Sequence, residues 1–168
     1  MLNEVAVVGA TGAVGKELIF LLEKRNFPLK KLRVFASKAS EGKVVSFRGQ
    51  ELKVEALSPE SFCDVDLAFL ATSGTHAKEV APLAREYGCI VIDNSSAFRL
   101  DAEVPLIVPE VNGQEISSHR GIISNPNCST IQMLVALNPL YQRSKIRRVI
   151  VSSYQAVSGA GTAAMAEL

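Results

Sequence analysis

The sequence predicts an α/β fold, a parallel β-sheet with helices on both faces. Three observations carry that prediction. Short apolar, β-branched runs alternate with amphipathic stretches in the order strand, helix, strand, twice over residues 4–92. The first strand-to-helix turn is rich in glycine, Gly9-Ala10-Thr11-Gly12-Ala13-Val14-Gly15. A chain of 168 residues, 48% hydrophobic and 21% charged, has the composition of an ordinary globular protein and excludes disordered, collagen-like and coiled-coil classes. At this length neither disulfides nor a metal are needed to fold.

The elements follow in order. Glu4-Val5-Ala6-Val7-Val8, stopped by Gly9, reads as a buried strand. Lys16 to Asn26 sets Leu18, Leu21 and Leu22 among Glu17, Glu23, Lys24 and Arg25, a helix with one buried face. Leu32 to Ala36 is the next strand. Lys43 to Phe47 and Glu51 to Glu55 flank Arg48-Gly49-Gln50 and read as a hairpin inserted on the main sheet. Asp66 to Ala71 is a buried strand, Thr75 to Tyr87 a helix and Cys89 to Ile92 a further strand. The Pro-containing stretch from Asp101 to Asn127 reads as an irregular exit from this domain. Cys128 to Leu140 is helical, Arg147 to Tyr154 reads as a strand, and residues 161–168 read as the opening turns of a helix. The expected division is one domain over residues 1–126 and the incomplete start of a second over 127–168.

Eighteen Lys and Arg against 17 Asp and Glu leave a formal charge of +1. The basic runs, such as Lys30-Lys31-Leu32-Arg33 and Lys145-Ile146-Arg147-Arg148, are short and broken by apolar residues, so no nucleic-acid partner is expected. No apolar run approaches the ~20 residues of a membrane span. The start carries no basic region ahead of its apolar stretch, so no signal peptide is expected and the location reads as cytoplasmic. Three cysteines, 63, 89 and 128, form no pairing pattern, which suits a reducing compartment. No metal site is expected.

The glycine turn sits where a βα unit binds a nucleotide. Glycines permit the tight turn and bring backbone N–H groups to a pyrophosphate at the positive helix N-terminus. Two residues rather than one separate the first two glycines, and a turn without a ligand is the alternative. The second strand ends Ser37-Lys38-Ala39-Ser40-Glu41. Hydroxyls and a lysine there suit a ribose 2′-phosphate, where an NAD site would place an acid; a plain surface turn has the same composition. In Ser124-Asn125-Pro126-Asn127-Cys128-Ser129-Thr130, Pro126 disfavours helix before it, so Cys128 falls in the first turn of the following helix. That place favours a thiolate nucleophile, although a structural cysteine remains the alternative. Cys63 and Cys89 read as inert small residues. His76 and His119 read as capping or solvated residues, and no catalytic base is evident.

With Asp93-Asn94-Ser95-Ser96-Ala97-Phe98-Arg99, Val108-Pro109-Glu110-Val111-Asn112 and Ser153 to Gly161, these segments resemble the aspartate-β-semialdehyde dehydrogenase family. The resemblance implies a Rossmann-like NADP-binding domain over 1–126, then the truncated start of an α+β catalytic and dimerisation domain over 127–168. The implied reaction is the reversible reduction of L-aspartyl-4-phosphate to L-aspartate 4-semialdehyde and phosphate, on the route to lysine (through diaminopimelate), threonine and methionine. Cys128 is the implied nucleophile, through a thioester. Gln155 positions the substrate, Arg99 contacts phosphate, and Asn127 is placed to donate to an oxyanion. Gly9, Thr11, Gly12, Ala13, Val14, Ser37, Lys38, Ala39, Ser40, Ser73, Gly74, Ser158 and Gly159 are the implied cofactor contacts. Ala39 stands where the family carries an arginine, so Lys38 substitutes as a point charge and NAD is the alternative cofactor. The full-length family member is expected to be a homodimer or homotetramer. The family's acid/base histidine and carboxylate-binding arginine lie in a second half, so this chain alone is expected to be inactive. The related N-acetyl-γ-glutamyl-phosphate reductases are the alternative family.

Overall fold

The computed structural model describes residues 2–167. Strand β1, Leu2–Val8, is the apolar run marked in the sequence, and Val5 to Val8 are buried. It lies inside the sheet, paired with β2 (Leu29–Ala36) on one side and β6 (Leu67–Leu70) on the other. With β5 (Glu55–Ala56), β7 (Ile90–Asp93) and β8 (Ile122–Ser124), the six strands run in the order β5-β2-β1-β6-β7-β8. Every pairing in this sheet is parallel. A parallel sheet must be covered on both faces. Helix α1 (Ala13–Lys24) buries Ile19 and Leu22 against Val5, Val7, Leu32 and Val34. Helix α2 (Gly74–Glu86) buries Ala77, Val80, Ala81 and Ala84 on the other face, against Ala6, Val8, Ala68 and Leu70. The predicted α/β class and its Rossmann-like arrangement are therefore present.

The predicted hairpin forms from β3 (Val44–Phe47) and β4 (Gln50–Lys53), paired antiparallel. Arg48 and Gly49 both have positive φ, 50° and 74°, as a two-residue type I′ turn requires. Glu55, expected at the end of this hairpin, instead opens β5 and pairs with Phe35 on the sheet edge.

Beyond residue 100 the structure corrects two expectations. The stretch read as an irregular exit contains β8, whose Ile122 and Ile123 pair with Val91 and Ile92. A three-residue strand is too short to show a period. Helix α3 (Pro109–Asn112) lies in the same stretch. Helix α4 (Cys128–Arg143) starts where expected and runs past Pro139. The strand read at Arg147–Tyr154 does not form. Ile150 is 87% and Tyr154 97% exposed, and no described strand lies beside this segment to pair its backbone. Helix α5 (Thr162–Ala166) follows as the tail pattern suggested, and Leu168 lies outside the described residues. Among the described residues no helix is long and apolar enough to cross a membrane.

Gly9 is a tight joint between β1 and the segment after β6. Its φ is +89°, and a Cβ there would be driven into the Ala71 carbonyl. Gly9→Ala is therefore expected to cost about 1–3 kcal/mol or more of stability, read by urea denaturation. An unchanged midpoint would show that the loop relaxes freely.

Candidate functional site

Because β2 and β6 leave β1 in opposite directions, a crevice opens at the carboxyl ends of these strands, where α/β sheets bind ligands. Two cavities fill it. The smaller, about 440 Å³, is lined by Gly9 at the end of β1, Ser37 and Lys38 after β2, Leu57 after β5, and His76 on α2. The larger, about 680 Å³, is lined by Gly12, Ala13 and Val14 at the start of α1, by Arg99, by Asn127 and Cys128, and by Ser158 and Gly159. Both include Thr72 and Ser73 in their walls, so they adjoin along one groove at the strand ends.

The groove has the features of a pyrophosphate cradle. Gly15 packs so close that a Cβ would strike the Gly9 carbonyl, which seats the N-terminus of α1 against the end of β1. Gly12 at the N-cap offers no side-chain hydrogen bond to the first turn of α1. The amides there keep their capacity for an anion. The loop itself is held by Gly12 N donating to Gly9 O and Lys16 N to Gly12 O, both at 3.0 Å.

Cys128 is the first residue of α4 and is exposed to the larger cavity. Asn127 caps that helix: its Oδ1 accepts from Ser129 N at 3.0 Å and Thr130 N at 3.4 Å. This orientation commits Oδ1 to the helix and leaves the Nδ2 donors for a ligand. Arg99 reaches the same wall. Its Nε donates to Asn125 O at 3.0 Å and its Nη2 to Asn94 O at 3.1 Å. The other thiols differ. Cys89 is buried, and burial together with the Asp66 charge pushes its thiol up to about 12. Cys63 is exposed but lies outside both cavities.

Several expected contacts fall elsewhere. Thr11 donates to Ser40 Oγ at 3.4 Å, tying the glycine loop to the turn after β2, and neither lines a cavity. Ala39 is exposed and also outside both. Gly74 faces a separate hollow with Thr75, Lys78 and Ser96. Gln155 is exposed and packs on Gly159 rather than lining the cavity itself. Conversely, His76, read as a capping or solvated residue, lines the smaller cavity. Its backbone N donates to Ser73 Oγ at 3.3 Å, and its ring Nδ1 lies 3.5 Å from Glu79 Oε2. Thr72 and Asn94 also join the site; Asn94 stands in the Asp93–Arg99 segment singled out in the sequence without a role of its own, and Thr72 is unmarked there, since its placement depends on neighbouring strands. His119 Nδ1 accepts from Gly121 N at 3.1 Å, a local structural contact. Among the described residues no cluster could hold a metal ion.

Comparison with known proteins decides the family. A family model for the NAD binding domain of semialdehyde dehydrogenases matches residues 4–119, and one for the dimerisation domain matches 137–168. The chain belongs to the semialdehyde dehydrogenase family. It is 53% identical to an aspartate-semialdehyde dehydrogenase of Aquifex aeolicus over 98% of this chain and 49% of that protein. The crystal structure of aspartate semialdehyde dehydrogenase II from Vibrio cholerae, complexed with ASA, superposes with a TM-score of 0.96 at 45% identity, over 99% of this chain and 50% of that one. A structure of the Candida albicans enzyme with NADP gives a TM-score of 0.70 at 29% identity, over 85% of this chain and 48% of that one. This semialdehyde dehydrogenase chain thus spans about half the length of the relatives it matches.

Proposed function

We propose that this chain is the nucleotide-binding, nucleophile-bearing half of an NADP-dependent, phosphorylating aspartate-semialdehyde dehydrogenase. The observation that carries the reading is the placing of Cys128, at a helix N-terminus, on the same cavity as the glycine loop. The first-turn amides of α1, with Gly12 to Val14, hold the pyrophosphate, and Lys38 and Ser37 face the adenosine end. Ser158 and Gly159 border the other end of the groove. When bound, the dinucleotide supplies the hydride that reduces the acyl carbon.

Cys128 Sγ attacks the acyl carbon of aspartyl 4-phosphate, the C–O bond to phosphate breaks, and a thioester remains on the chain. After reduction the C–S bond breaks, the aldehyde leaves and the thiolate is restored. Arg99 neutralises the departing phosphate, and Asn127 Nδ2 donates to the oxyanion formed at the carbonyl. The described lining of the larger cavity holds no His, Asp or Glu, and the resemblance implies that the acid/base histidine comes from the family's second half. The whole enzyme acts as a homodimer or homotetramer in the cytoplasm and feeds lysine, threonine and methionine synthesis. Within it, residues 1–126 form the binding domain and 127–168 open the catalytic one.

The experiment is phosphate-dependent reduction of NADP by the full-length enzyme, with aspartate semialdehyde and with N-acetylglutamate semialdehyde. Faster turnover of the second would overturn the substrate reading. On this chain, Lys38→Ala is expected to weaken NADPH binding about tenfold and leave NADH unchanged, as loss of one charge-assisted contact predicts. Equal weakening of both in a fluorescence titration would remove the 2′-phosphate role and favour NAD.

A further inference from the structure

Arg99 is held by a closed ring of contacts that the reaction scheme above does not use. Its Nε–H and one Nη2–H are both taken, by the backbone oxygens of Asn125 and Asn94. These two residues belong to chain segments 31 positions apart, and their side chains meet: Asn125 Nδ2 donates to Asn94 Oδ1 at 2.5 Å. Each is also anchored to the sheet. Asn94 N donates to Leu70 O at 3.0 Å, and Asn125 N to Asp93 O at 2.8 Å. A guanidinium has five N–H donors in a fixed plane. With its Nε–Nη2 side committed, the Nη1–Nη2 end is what remains for the cavity that Cys128 lines.

We infer that Asn94 and Asn125 are positioning residues, whose side-chain hydrogen bond clamps the two carbonyls at the spacing that turns the free end of Arg99 toward a phosphate. The inference rests on the proposed role of Arg99 and adds to it. An arginine free to rotate would meet phosphate in many poses. One clamped on its side edge offers a single two-donor edge, the geometry that matches two oxygens of a phosphate. The clamp also couples the segment before Cys128 to the loop carrying Arg99, so nucleophile and anion site keep one relative placement.

The direction of the Asn–Asn bond supplies the test. Asn94 accepts and Asn125 donates. Asn94→Asp keeps an acceptor opposite a donor, whereas Asn125→Asp sets two acceptors against each other. Each adds one negative charge; Asn94 lines the larger cavity and Asn125 does not, so the charge alone would weaken phosphate more in Asn94→Asp, the opposite order from the one the hydrogen bond sets. Inorganic phosphate is titrated into this chain and each variant by calorimetry, with NADPH affinity measured on the same samples. Asn125→Asp is expected to bind phosphate about tenfold more weakly than Asn94→Asp, the cost of one broken and unsatisfied bond. NADPH affinity is expected to match in the two, which a merely unfolded or loosened variant would not show. If Asn125→Asp does not fold, Asn125→Ser, which breaks the contact without charge, is expected to fall below an Asn94→Asp sample in the same way. Equal phosphate affinities in folded variants would overturn the clamp and leave the Arg99 reading standing. A parent chain that binds NADPH but no phosphate would overturn both.

Discussion

Cys128→Ser in the full-length enzyme is expected to lower phosphorylating turnover on the order of 10⁴-fold or more, with NADPH affinity unchanged. The size follows from the nucleophile itself. A serine hydroxyl is a far weaker acid than a thiol and must give up its proton before it can attack. A thiol is the intrinsically stronger nucleophile, and Cys128 presents it exposed at the start of a 16-residue helix. This chain alone gives the companion measurement. Iodoacetamide at neutral pH is expected to label Cys128 before Cys63, although both are exposed, and Cys89 last, because it is buried with its thiol pushed up to about 12. Labelling of Cys63 and Cys128 at the same rate, by peptide mass mapping, would show that the helix terminus confers no activation.

Arg99→Ala is the second large effect. It is expected to raise the phosphate KM of the full-length enzyme about 10- to 100-fold, since a charge-assisted contact of about 1.5–3 kcal/mol is lost from the anion site. Arg99→Lys is expected to recover only part of this, because an ammonium cannot reproduce the paired contacts to Asn125 O and Asn94 O. The KM for NADP is expected to stay put, since neither Lys38 nor the glycine loop bonds Arg99. If both constants rise together, Arg99 serves the cofactor or the loop rather than phosphate.

The parts of this molecule that a linear reading captures are those whose signal is local. Val5 to Val8 announce a buried strand, and Leu18 to Leu22 among charges announce a helix, because period and burial are written in adjacent residues. Cys128 at a helix start is legible for the same reason: Pro126 and Asn127 fix where the helix can begin. Arg147–Tyr154 shows the converse. Its β-branched residues satisfy a strand propensity, but a strand exists only by pairing, and the described part of the molecule offers it no neighbour. His76 and the two asparagines 94 and 125 stand in stretches noted in the sequence, but the cavity His76 lines and the Asn94–Asn125 contact are not legible there, because they depend on what other segments bring alongside.

The inner position of β1 sets a timetable for biosynthesis. Strand β1 lies between β2 and β6, both later in the chain, so it must wait for partners produced after it, and this part of the sheet cannot close before residue 70 has emerged. By residue 76 the glycine loop, Lys38, Thr72, Ser73 and His76 have all left the ribosome, and with them every lining residue of the smaller cavity. Cys128 follows only after β7 and β8 have been added beside them. Vectorial synthesis therefore presents the whole lining of the smaller cavity before it presents Cys128 to the larger one.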